Sequence, residues 1–115
     1  MHEISLVQGL LRQLAELARE HEATSISKVK VEVGQLSGVV VDSFCFGFEV
    51  LAVEEELTSR AKLEIVIPPM RYKCCHCGAS CIGGKNMPDK CSLCKETLLV
   101  PEGGDGLVLL QVEME

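Results

Sequence analysis

Tryptophan is absent from this chain, and its aromatic residues come to three phenylalanines and a single tyrosine. A surface that stacks unpaired bases on aromatic rings is therefore not expected. Leucine, valine and isoleucine must build the core instead. No basic stripe is visible either. The formal charge is −6 and the pI about 5.1, which argues against nucleic acid as a partner. No apolar run approaches the ~20 residues of a membrane span. No secretory signal precedes the first helical pattern, so a cytoplasmic protein with no membrane partner is expected. What is present suffices for one small domain carrying a smaller module: 115 residues, 47% of them apolar.

The stretch "ISLVQGLLRQLAELAREHE" carries apolar residues at Ile4, Val7, Leu10, Leu11, Leu14, Leu17 and Ala18. That spacing predicts a helix with one apolar face. "KVKVEVG" alternates, with Val29, Val31 and Val33 to one side and Lys28, Lys30 and Glu32 to the other. It reads as a strand with one wet face, followed by a turn at "GQLSG". From Asp42 the helical period returns through Phe44, Phe48, Leu51 and Ala52, with Asp42 or Ser43 as the expected cap. "AKLEIVIPP" alternates through Leu63, Ile65 and Ile67 and is stopped by Pro68 and Pro69. In the closing "GLVLLQVEME", Val108, Leu110, Val112 and Met114 share a face.

The expected fold class is α+β: a three-stranded mixed sheet with two helices on one face, plus an inserted cysteine module. The first two strands flank a helix, so they pair parallel through a right-handed crossover. The module sits at the sheet edge between the second and third of these strands, which then run antiparallel. Residues 1–69 and 103–115 form the expected body and 70–102 the insertion.

The module reads "CCHCGASCIGGKNMPDKCSLC" and holds six of the seven cysteines. Thiols stay reduced in a cytosolic setting, so the cluster reads as a metal site before it reads as a disulfide framework. Cys74 and Cys77 form one C-x₂-C pair, and Cys91 and Cys94 another. Two such knuckles bring four thiolates to the corners of a tetrahedron, the geometry of structural Zn²⁺. The 13-residue spacer is a little shorter than the usual range of about 15–20. Cys75, His76 and Cys81 are expected to stay out of the shell, which the two pairs complete. Cys45 reads as a small buried apolar residue. A closed thiolate shell leaves no position for a reactive water, so the ion is expected to hold the module together rather than to catalyse. Thiolates also bind iron, which keeps an electron-carrying Fe(Cys)₄ centre as an alternative.

The chain opens "MHE". The terminal amine of Met1, the His2 amide nitrogen and the His2 imidazole can close two fused rings around one ion. Such a planar nitrogen set suits Ni²⁺ or Cu²⁺ better than Zn²⁺. Glu3 can add an oxygen ligand or orient the imidazole. Glu3 equally suits the first turn of a helix, where negative charge is favoured, and His2 equally reads as a frayed terminal residue.

Taken together, "MHEISLVQGLL", "VKVEVGQLSGV", "FGFEVL", the two knuckles and "GDGLVLLQVEME" resemble, in order and over essentially the whole chain, the HypA/HybF family of nickel metallochaperones of hydrogenase maturation. The resemblance implies a carrier, not an enzyme. Its Ni(II) cargo is bound by His2, with Met1 contributing its terminal amine and Glu3 adjacent. Zn(II) is held by Cys74, Cys77, Cys91 and Cys94. The implied partners are a HypB-type GTPase, the [NiFe]-hydrogenase large-subunit precursor and, in some organisms, the urease maturation proteins. The implied oligomeric state is a monomer or weak homodimer. Many family members carry an acidic residue just after the "SGV" turn; here Val40 stands there, with Asp42 two residues on. Two other readings stay open at this stage: a zinc-ribbon module that binds nucleic acid or protein, and a rubredoxin-like electron carrier.

Overall fold

The computed structural model describes residues 2–83 and 87–115, with His2 given by its backbone. In chain order the elements among these residues are α1 (His2–Glu20), β1 (Ile26–Val33), α2 (Val41–Ala52), β2 (Lys62–Val66), β3 (Arg71–Cys74), β4 (Ser80–Ile82), β5 (Leu99–Glu102) and β6 (Leu107–Met114). The chain divides into two compact units. One comprises Met1–Glu32, Val39–Val66 and Val108–Glu115, the other Val33–Gly38 and Ile67–Leu107.

In the first unit, Val7, Leu10, Leu14 and Ala18 recur every three or four residues, and all are buried along one side of α1. Helix α2 buries Phe44, Gly47, Phe48 and Ala52. Gly47 lets the two helices approach closely: a methyl group there would lie 3.0 Å from Ile4 Cδ1 and 3.4 Å from Val7 Cγ2. The polypeptide leaves α2 through a turn in which the buried Thr58 hydroxyl donates to the Ala52 carbonyl at 2.8 Å.

The main sheet has the order β2-β1-β6. β1 and β2 run parallel, with Val29 opposite Leu63 and Val31 opposite Ile65. β6 runs antiparallel to β1: Ser25 exchanges backbone hydrogen bonds with Glu115, and the Ser27 hydroxyl donates to the Glu113 carbonyl at 3.3 Å. The sheet is therefore three-stranded and mixed, as expected. β2 and β6 do run in opposite directions, but β1 separates them. The central place falls to the strand whose Val29, Val31 and Val33 are all buried. On its other face, Lys28 and Lys30 lie 3.5–3.9 Å from Glu64 and Glu113. These half-exposed pairs each contribute little to stability.

Two local expectations are corrected. The N-cap of α2 is Val40, without a side-chain cap, so neither Asp42 nor Ser43 caps the helix. Asp42 lies within the first turn, where its charge meets the positive end of the helix dipole. On β6, Val112 and Met114 are half-buried, whereas Val108 and Leu110 are 45% exposed. The alternation slips by one residue at Leu110 and Gln111, so Leu107 and Leu109 are half-buried in place of Val108 and Leu110.

The second unit contains an antiparallel sheet of order β4-β3-β5. Its buried cluster consists of Cys74, Cys91 and Leu99, with Tyr72, Ala79, Cys81 and Cys94 packed around it. The unit extends past the expected 70–102 because the segment Val33–Gly38 is laced to it. Leu36 donates its N–H to the Gly104 carbonyl at 2.6 Å, and Gly34 to the Gly106 carbonyl at 2.9 Å. The Gln35 amide donates to the Pro68 carbonyl at 3.0 Å. Gly34 is required here, since a Cβ at that position would fall onto the Gly104 carbonyl.

Burial along α2 gives a direct test. Phe44 is fully buried and Phe46 is 67% exposed. Phe44→Ala should cost about 3–5 kcal/mol of stability and Phe46→Ala no more than about 0.5 kcal/mol, read from urea unfolding of the two variants.

Candidate metal centre

Both knuckles have the same backbone. Cys74 ends β3; its N–H donates to the Ala79 carbonyl at 2.9 Å, and its carbonyl accepts from Gly78 N–H at 3.0 Å. Cys91 repeats this: its N–H donates to the Glu96 carbonyl at 2.8 Å, and its carbonyl accepts from Lys95 N–H at 3.1 Å. The residue after the second cysteine is left-handed in each case, Gly78 with φ +78° and Lys95 with φ +68°. Glycine takes that conformation freely. Lysine does so at a cost of roughly 1–2 kcal/mol, so the second turn is held by its surroundings. The tight turn after each knuckle leaves both of its thiols facing the same point.

The four sulfur atoms of Cys74, Cys77, Cys91 and Cys94 all lie within 4.8 Å of one another. Across the knuckles, Cys74 Sγ is 3.5 Å from Cys94 Sγ, and Cys77 Sγ is 3.6 Å from Cys91 Sγ. A tetrahedral ion with bonds of about 2.3 Å to sulfur requires edges of about 3.8 Å. The cluster therefore fits such an ion. The other candidates stand apart from it. Cys75 and His76 are exposed and are not among the four residues whose ligand atoms converge. Cys81, on β4, is half-buried against the cluster. Cys45 is half-buried in α2 rather than buried, and burial, Glu49 and Asp42 push its thiol pKa up.

At the amino terminus, Met1 and the side chain of His2 lie outside the described residues. Glu3 is buried, and its carboxylate accepts a 3.1 Å hydrogen bond from the Val40 N–H. Val40 is the N-cap of α2 and Glu3 lies in the first turn of α1. One carboxylate thus serves the positive ends of two helix dipoles.

A family model described as "Hydrogenase/urease nickel incorporation, metallochaperone, hypA" matches residues 1–114. The chain belongs to the HypA family. A hydrogenase maturation factor HypA from Alkalilimnicola ehrlichii is 36% identical over 115 residues, all of both chains. One from Campylobacter jejuni is 30% identical over the same span. Among solved structures, the solution structure of the Ni metallochaperone HypA from Helicobacter pylori aligns with a TM-score of 0.68 at 26% identity, over 97% of this chain and 96% of that one. A second HypA solution structure gives 0.75 at 28% identity, over 100% and 97%. As a HypA-family protein the chain is a metallochaperone, not an enzyme. The interaction-module and electron-carrier readings are left without support. Among the described residues no helix is long and apolar enough to cross a membrane.

In this HypA-family centre the thiols titrate against one another. Backbone N–H groups of Cys94 and Leu93 direct their hydrogen bonds at Cys91 and bring its pKa down to about 6. The N–H groups of Cys77 and His76 likewise lower Cys74, against the opposing effect of burial. Cys94 accepts a bond from the Glu96 N–H, but burial and the three neighbouring thiols outweigh it and push Cys94 up to about 12. A cation entering the group would displace the thiol protons that the four sulfurs share.

Metal uptake at pH 7 should release protons, and affinity should tighten as pH rises from 6 to 8; competition with a chromophoric chelator, using Zn²⁺ or Co²⁺ as probe, measures both. Cys74→Ser should abolish binding of the probe at this centre, whereas Cys75→Ser should leave one ion bound.

Proposed function

We propose that this protein binds Ni(II) through its amino-terminal residues and delivers it to the [NiFe]-hydrogenase large-subunit precursor, or to urease maturation, while Zn(II) holds the four-cysteine unit together. The ligands of the reading are the Met1 amine, the His2 amide nitrogen and the His2 imidazole, three nitrogens suited to a planar Ni(II) centre. A carrier must also release its cargo, and a short ligand set at a chain end can be dismantled without unfolding a core.

The observation that carries the reading is the position of Glu3. Its buried carboxylate is bonded to the Val40 N–H. That bond ties the first turn of α1 to the start of α2 and so gives the neighbouring ligand atoms a fixed base. A carboxylate beside the ion would also offset its charge. Glu3 is accordingly assigned as a positioning residue. Val40 offers only its backbone here, so the remaining nickel ligand comes from another group or from water. Four thiolates at tetrahedral spacing favour zinc for the second centre. The setting is the cytoplasm, the chain a monomer or weak homodimer, and a HypB-type GTPase the working partner.

Untagged protein titrated with Ni²⁺ in a calorimeter tests this. His2→Ala should abolish specific nickel binding with zinc content unchanged. Glu3→Ala should weaken nickel by about 10- to 100-fold, and a peptide fused ahead of Met1 should weaken it by converting the amine to an amide. Unchanged nickel affinity in His2→Ala would contradict the assignment.

A further inference from the structure

Helix α2 is apolar on both sides. Its inner side carries the buried Phe44, Gly47, Phe48 and Ala52. Turned away from them, Phe46 is 67%, Val50 45% and Val53 60% exposed. Positions 46, 50 and 53 stand at i, i+4 and i+7, so at 100° per residue they fall within about 60° of arc and form one ridge. Single exposed apolar residues need no explanation, but three in register along a helix make a contiguous patch. One of the few aromatic side chains in the chain, Phe46, stands at its amino-terminal end.

The charge carried by the α2 segment itself has one sign. The segment from Val39 to Leu57 contains Asp42, Glu49, Glu54, Glu55 and Glu56 and no lysine, arginine or histidine. Asp42 and Glu49, both exposed, border the ridge four residues before and three residues after Phe46. Neither is in an ion pair among the described residues. Lys62 lines the hollow beside Glu49 and Val53, and Arg12 the hollow beside Glu54 and Glu55, but neither pairs with Asp42 or Glu49. The negative field is felt inside the helix too, since Glu49 and Asp42 add to the upward push on the Cys45 thiol. A second copy of this chain fits the ridge poorly, because two-fold contact through α2 would set these carboxylates against their own images.

From the ridge and the two unpaired carboxylates beside it, we infer that the outer face of α2 is a docking surface for a protein segment that presents apolar side chains at helical spacing flanked by lysine or arginine. Apolar anchors supply the contact energy, and the flanking charges supply attraction and register. None of the ridge residues is among those assigned to metal, so docking and metal loading can be examined independently.

The test uses the full metal-loaded chain and two synthetic amphipathic helical peptides, identical except that one carries lysine and the other glutamate beside the leucine ridge. Binding is followed by fluorescence anisotropy at about 0.05 M and 0.5 M salt and mapped by ¹⁵N–¹H NMR. The lysine peptide should bind and shift the α2 amides around Phe46, Val50 and Val53; the glutamate peptide should not bind. Phe46→Ser should weaken the lysine peptide about tenfold, and Glu49→Lys should weaken it several-fold and flatten its salt dependence, both variants keeping the wild-type circular dichroism. The inference fails if the shifts map elsewhere, if both peptides bind equally, or if both variants bind like wild type. It also fails if the α2 amides shift on dilution of the protein alone, which would make a second copy the occupant.

Discussion

Four sulfur atoms within 4.8 Å of one another cannot all carry charge unless a cation sits among them. The second unit depends on this constraint. Its buried cluster is Cys74, Cys91 and Leu99, and two of those three residues belong to the four-sulfur group. So little apolar burial cannot offset the ordering of its chain. A metal held by the paired knuckles would supply the missing free energy and make folding of the unit and metal binding one equilibrium. The left-handed Lys95 is held by the turn it closes, through its N–H bond to the Cys91 carbonyl and the Cys91 N–H bond to the Glu96 carbonyl.

The first unit has the opposite economy. Phe44, Phe48, Leu14, Val7, Val29 and Val31 are fully buried, and no metal is needed to hold them. At the helix starts, Glu3 is anchored on the Val40 N–H. A protein with a metal-dependent unit and a burial-dependent unit can hold a permanent ion in the first and exchange a transient one at the edge of the second. The proposed nickel site needs that separation, because a cargo ion that also held up the fold could not be handed on.

Much of the fold was legible in the sequence, and the residues show why. "KVKVEV" alternates because one face of β1 is core and the other carries charges. Val7, Leu10, Leu14 and Ala18 mark a single buried helix stripe. The knuckle spacing alone identified the four sulfurs that the structure gathers. What stayed hidden is set by distant partners. Asp42 looked like a cap because capping was sought locally, whereas the N–H of the true N-cap bonds a carboxylate 37 residues away. The turn at 33–38 looked like part of the body because its partners, Pro68, Gly104 and Gly106, lie far along the chain. Lys95 gave no signal, since lysine does not advertise a positive φ. Its equivalence to Gly78 is visible only once the two knuckles are superimposed in mind.

X-ray absorption at the two metal edges, on protein loaded with both ions, tests the division between the sites most directly. With zinc in the thiolate cluster and nickel at the amino terminus, the zinc edge should report four sulfur neighbours at about 2.3 Å and the nickel edge nitrogen and oxygen alone. Sulfur around nickel, or nitrogen replacing sulfur around zinc, would contradict it.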